Sequence, residues 1–159
     1  MSGSNEPMLL VVDDNLDEAF LARKRMRKDG IVNQILSEKD PEHVADRLEQ
    51  LLERGSSVIL LLDISMPRVS GFEVLEQLRK NPKYHDIPII MYSASEDEAD
   101  ILKSLALGAD GYLQKPFRTE DFQGVLTNIP QIKTCFLQQA PTPSNNNGAA
   151  HAHLTGALA

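Results

Sequence analysis

The chain has 159 residues, a hydrophobic content of 42% and a formal net charge of −7. This length supports one domain with a substantial core and not two ordinary ones, and the acidic balance argues against a nucleic-acid partner. A single cysteine, Cys135, excludes an internal disulfide, and no run approaches the roughly 18 apolar residues of a membrane span, so the expectation is a soluble, cytoplasmic protein with no membrane partner.

Strand-like and helix-like segments alternate five times. The expected strands are Met8–Val12, Gln34–Ser37, Val58–Leu62, Ile87–Tyr92 and Asp110–Leu113. Ile59–Leu62 and Ile87–Met91 are unbroken apolar runs, the pattern of strands covered on both faces. Asn15 followed by Glu18 opens the first helix and Gly30 stops it; Asp40-Pro41 opens the second, with Val44, Leu48, Leu51 and Leu52 on one face before Gly55. Ser70 with Glu73 and Ser95 with Glu98 have capping-box spacing for the third and fourth helices, and Gly108 ends the fourth. Thr119 is the expected cap of the fifth, whose apolar face is Phe122, Val125, Leu126 and Ile129. Five such units predict an α/β fold: a doubly wound, five-stranded parallel sheet in strand order 2-1-3-4-5. Residues 1–7 and 138–159 read as flexible ends around a domain at 8–130, with an apolar extension at 131–137.

Polar signals stand where these strands run out. Asp13 and Asp14 follow the first, Asp63 the third, and Lys115-Pro116 the fifth. Parallel strands gather their carboxyl ends on one edge of the sheet, where ligands bind. Three carboxylates and an ammonium brought there suit a small hard cation and a phosphoryl group. Asp17 and Glu18, in the first turn of the first helix, suit the helix dipole. The basic run Arg23 to Lys28 reads as a solvated helix face, and His43, His85, His151 and His153 form no recognisable cluster. Neither a G-x-G-x-x-G nor a P-loop pattern is present.

Val11-Val12-Asp13-Asp14-Asn15, Asp63-Ile64-Ser65-Met66-Pro67 with Gly71, Ser93-Ala94, and Tyr112 to Phe117 resemble, in order, the motifs of the receiver domain of two-component response regulators. The resemblance covers residues 8 to 130 and implies the flavodoxin-like (βα)5 receiver fold. It implies Asp63 as phosphoacceptor, Mg2+ held by Asp13, Asp14, Asp63 and the Ser65 backbone carbonyl, and phosphoryl contacts from Lys115, Ser93 and Ala94. Ser93 and Tyr112 would form the switch pair, and the bond before Pro116 would be cis. Ser65 and Ser95 occupy positions resembling those that set dephosphorylation rate, and being short and polar they fix no lifetime. The implied donor is a sensor histidine kinase, and the implied output a downstream protein target or a phosphotransfer protein. Gly30 to Ile35 and the apolar stretch after the fifth helix resemble the single-domain regulators that partner bacterial phytochromes, which would make the kinase a phytochrome.

The leading expectation is a stand-alone phosphoryl-accepting switch and not an enzyme. An aspartyl-phosphate-forming phosphatase or phosphotransferase would need a second acid two residues after its nucleophile, where this chain has Ser65. A phosphorylation-independent interaction module would have no use for the intact Asp13, Asp14, Asp63 and Lys115 set. Ile132, Cys135, Phe136 and Leu137 lie beyond the last element the sheet needs, so a homodimer burying them across a two-fold axis is expected.

Overall fold

The computed structural model describes residues 6–129. The expectations for the two ends of the chain, including the apolar extension at 131–137, lie outside those residues. The elements are β1 (Met8–Val12), α1 (Leu16–Lys28), β2 (Ile35–Glu38), α2 (Val44–Glu53), β3 (Val58–Asp63), α3 (Gly71–Lys80), β4 (Ile89–Ser93), α4 (Glu98–Ala106), β5 (Gly111–Gln114) and α5 (Thr119–Thr127). The strands are all parallel, in the order β2-β1-β3-β4-β5.

Side-chain alternation along the strands divides the core in two. Leu10, Val12, Leu60, Leu62 and Met91 pack with Val44, Leu48 and Leu51 of α2 and Val74, Leu75 and Leu78 of α3. Leu9, Val11, Ile59, Leu61, Ile90 and Tyr92 pack with Ala19 and Met26 of α1 and Phe122 and Leu126 of α5. Every residue of β3 is buried, as a central strand covered on both faces requires.

Several element ends differ from the sequence reading. Strands two, four and five run one or two residues later than expected. Asp40 caps a short 3-10 turn, Pro41–His43, and α2 starts only at Val44. The α4 cap is Asp97, whose carboxylate accepts from the Ala99 amide, while the Ser95 hydroxyl accepts from the Asp97 amide one turn earlier. Asp has the same capping chemistry as Ser, and the loop geometry chose between them. The α5 cap is Arg118, closed by the Asp121 carboxylate on its amide at 3.0 Å. Thr119 is instead buried and donates its hydroxyl to Asp29 at 2.6 Å. Asn15 and Ser70 cap α1 and α3 as expected. Nor is the basic run purely solvated: Arg25 donates to the Phe117 carbonyl and Arg27 to the Ile31 carbonyl.

One packing contact matters directly to the sheet edge. The first residue of α3, Gly71, donates its amide to the Ile64 carbonyl at 2.8 Å. A Cβ on it would stand 2.1 Å from the Asp63 carbonyl oxygen, so only glycine allows α3 to sit against the end of β3. Gly71→Ala should therefore cost about 1–3 kcal/mol by urea unfolding, the usual range for overpacking. Gly124→Ala in α5 meets nothing within 4 Å, and it should gain up to about 1 kcal/mol from helix propensity.

Candidate phosphoryl-acceptor and cation site

Asp13 continues the alternation of Leu9 and Val11, and Asp63 that of Ile59 and Leu61. The same parity places Tyr92 with Ile90, and the register pairs Tyr92 with Asp63 across the sheet. All three side chains thus emerge on the α1/α5 face at the carboxyl edge. Asp14 points out of the buried layer and is exposed. Ligand oxygens of Asp13, Asp14 and Asp63 all lie within 4.8 Å of one another. Only oxygen donors are present in this set, and three carboxylates fit a hard divalent cation such as Mg2+ or Mn2+.

Lys115 reaches into this group from the end of β5, next to a cis Lys115-Pro116 bond. Its ammonium stands 3.0 Å from Asp13 Oδ2, 3.3 Å from Asp63 Oδ1 and 2.6 Å from Glu18 Oε2. Burial works against the ammonium, but the hydrogen bonds it donates to Glu18 and Asp13 and the charge of Asp63 more than offset it, so its pKa is raised. Lys115 is firmly cationic.

The two buried carboxylates have unlike environments. Burial pushes Asp63 up to about 7; Lys115 opposes this, and the neighbouring Asp13 charge adds to it. Its protein donors are the Ser65 amide at 3.3 Å and Lys115. Asp13 is also desolvated, yet hydrogen bonds from Tyr92, the Asn15 amide and Lys115 hold it below the ordinary carboxylate value. Asp13 keeps its charge, and Asp63 takes up a proton most readily.

The remaining expected residues lie close by in the structure. Ser93 is buried, with its Oγ accepting from the Ser95 amide at 3.1 Å. Ala94 is exposed and, with Lys115, Tyr92, Leu21 and Phe117, lines a cavity of about 290 Å3. Tyr112, at the fifth strand, donates its hydroxyl to the Ser95 carbonyl at 2.9 Å. Ser65 is exposed beside Asp63.

Two contributors escaped the sequence reading. Glu18 was read only as part of the start of the first helix, and it also holds Lys115. Tyr92 donates its hydroxyl to Asp13 Oδ2 at 2.6 Å and lies beneath the Lys115 ammonium, 4.4 Å from the ring centroid. A buried tyrosine needs a partner for its hydroxyl, and strand parity alone pointed it toward the acidic edge.

The profile of the response regulator receiver domain family matches residues 9–127. The chain belongs to that family. Among curated relatives, it is 34% identical over 115 residues to the phosphate regulon transcriptional regulatory protein PhoB of Rhizobium meliloti, covering 72% of this chain and 48% of that protein. The chain thus spans about half the length of this relative. The bacteriophytochrome response regulator AtBRR superposes with a TM-score of 0.69 at 23% identity, over 87% of this chain and 99% of that one. The Mn(2+)-bound form of response regulator Rcp1 does so with a TM-score of 0.61 at 24% identity, over 87% and 99%. At such identities these structures establish the shared receiver fold.

The raised Asp63 pKa has a signed consequence for stability. Its folded value of about 7 exceeds the ordinary 3.8, so the folded state holds the extra proton. Stability from this group is full below the unfolded pKa and is lost as pH rises through about 7. The displacement is worth at most about 4 kcal/mol. In EDTA, the melting temperature should fall between pH 5 and pH 8, and Asp63→Asn should flatten that fall. Added Mg2+ should raise the melting temperature more at pH 8 than at pH 5.

Proposed function

We propose that this receiver domain is a Mg2+-dependent switch that accepts a phosphoryl group on Asp63 from a histidine kinase and signals by changing its protein contacts. The observation that carries this reading is the Asp63 carboxylate, fixed at a buried strand end, 3.3 Å from a lysine and within 4.8 Å of two further acids.

Asp13, Asp14 and Asp63 would hold the cation, with the Ser65 carbonyl as a further ligand. When bound, Mg2+ would neutralise charge on the entering phosphoryl group and favour the ionised form of Asp63. An Asp63 carboxylate oxygen then attacks phosphorus; the new O–P bond forms as the bond to the donor breaks, and the donor keeps that electron pair. Lys115 would turn from the carboxylates to a phosphoryl oxygen, where its fixed positive charge is most useful in the transition state. Ala94, small and exposed, leaves the approach open. The exposed side chains Phe20 and Leu21 on α1, the second of which lines the same cavity as Lys115, offer the donor protein an apolar footing.

The bonds around Ser95 support an output path. Its amide is tied to Ser93 and its carbonyl to Tyr112. A Ser93 hydroxyl drawn toward a phosphoryl oxygen would disturb both bonds and release Tyr112. That would alter the α4–β5–α5 surface, where Leu102 and Leu105 already stand exposed. The target would be a downstream protein or a phosphotransfer protein, and the unit would act in this way without an attached effector. The likeness to AtBRR supports a phytochrome-type kinase as donor. A cytoplasmic location suits such a donor, and no described helix is long and apolar enough to cross a membrane. A homodimer through the α5 side and the segment that follows it is part of the same proposal; light scattering should give twice the monomer mass for the full chain, and a monomer at tens of micromolar contradicts it.

Acetyl phosphate with Mg2+ should label the protein stoichiometrically with only slow phosphate release. Asp63→Asn should reduce labelling by at least about a hundredfold while leaving the fold intact, since a positioned nucleophile is worth several orders of magnitude in rate. Rapid multiple turnover would favour the phosphatase alternative, for which Ser65 provides no second acid.

A further inference from the structure

We infer that Tyr92 is a positioning residue for the cation site, its hydroxyl holding Asp13 in the ligating orientation when Lys115 leaves it. The inference rests on the proposed function above.

Tyr92 is 1% exposed and fixed in place. Its ring meets Phe117 edge-on, with centroids 6.1 Å apart and an interplanar angle of 88°, and the Lys115 ammonium covers it. The hydroxyl therefore has little freedom. It donates to Asp13 Oδ2 at 2.6 Å, a short bond of the kind formed to a charged acceptor.

Asp13 has two other donors. The Asn15 amide, 2.9 Å from Oδ1, is part of the backbone and stays put. Lys115 shares Oδ2 with Tyr92 at 3.0 Å and is also divided between Asp63 and Glu18. A divalent cation among these carboxylates repels that ammonium, and a phosphoryl group on Asp63 competes for it, so Lys115 is not a lasting anchor. Once Lys115 moves, a carboxylate held only by the Asn15 amide could rotate about its Cβ–Cγ bond. Tyr92 supplies the second anchor on the opposite oxygen. Together the amide and the phenol fix the carboxylate plane while leaving lone pairs on both oxygens. Hydrogen-bonding partners of this kind behind metal ligands are typically worth about 10–100-fold in metal affinity.

The test compares the full wild-type chain, Tyr92→Phe and Tyr84→Phe. Tyr92→Phe keeps the ring against Phe117 and Lys115 and deletes only the hydroxyl. Tyr84 lies just before β4, at the opposite edge of the sheet, and its hydroxyl bonds the Ala45 carbonyl; its variant measures the generic effect of losing a buried phenol. Calorimetric titration with MgCl2 should show about tenfold weaker binding in Tyr92→Phe and unchanged binding in Tyr84→Phe. Wild-type Mg2+ affinity in Tyr92→Phe, or equal weakening in Tyr84→Phe, overturns the inference. If Tyr92→Phe does not fold, the Tyr92 Cζ resonance of the wild-type protein decides. It should shift during the MgCl2 titration with the calorimetric midpoint, and a static resonance overturns the inference. A wild-type protein that binds no Mg2+ overturns the underlying proposed function, an outcome distinct from all of these.

Discussion

A single ammonium among three carboxylates is the interaction on which the site depends. Asp13 and Asp63 are nearly inaccessible to water, and two neighbouring buried carboxylates cannot both ionise cheaply. Lys115 touches both of them and Glu18 as well, which limits the repulsion without removing it. The raised Asp63 pKa is what remains. A divalent cation would complete the neutralisation, so the same arrangement that strains the metal-free protein would favour cation binding and make Asp63 a competent nucleophile.

The fold produces this by parity and by close approach. Parallel pairing of β1, β3 and β4 brings the ends of three strands to one edge, and the two-residue side-chain period puts Asp13, Asp63 and Tyr92 on one face. Gly71 lets α3 close against the backbone of Asp63 and Ile64. Asp13 and Asp63 thus hang from the ends of the most buried strands of the sheet. The surface that would read the switch is different. It consists of a loop, a short strand and a helix with exposed leucines, joined to the site through the Ser95 amide and carbonyl. In the proposed switch, the chemistry and the output surface would occupy separate parts of one domain.

Much of this was legible in the residues. The apolar runs at Ile59–Leu62 and Ile87–Met91 announced buried parallel strands, and the acids and lysine at the strand ends marked the edge where a ligand would sit. What escaped notice depended on three-dimensional context. Ser95 and Asp97 both have capping chemistry, and sequence spacing favoured Ser95 where the loop selects Asp97. Thr119 could cap a helix, but the approach of Asp29 gave its hydroxyl a different partner. Tyr92 was legible only as the last residue of an expected strand. Its importance appears only when the hydroxyl is asked where, in a layer of aliphatic side chains, it can find an acceptor.

The measurement closest to the central claim is identification of the modified residue itself. The full chain would be treated with acetyl phosphate and Mg2+, and then reduced with borohydride, which converts an acyl phosphate to a primary alcohol. The peptide carrying Asp63 should show homoserine at that position by mass spectrometry, and only when Mg2+ is present. Reduction at a different carboxylate, or equal reduction in EDTA, would contradict the account.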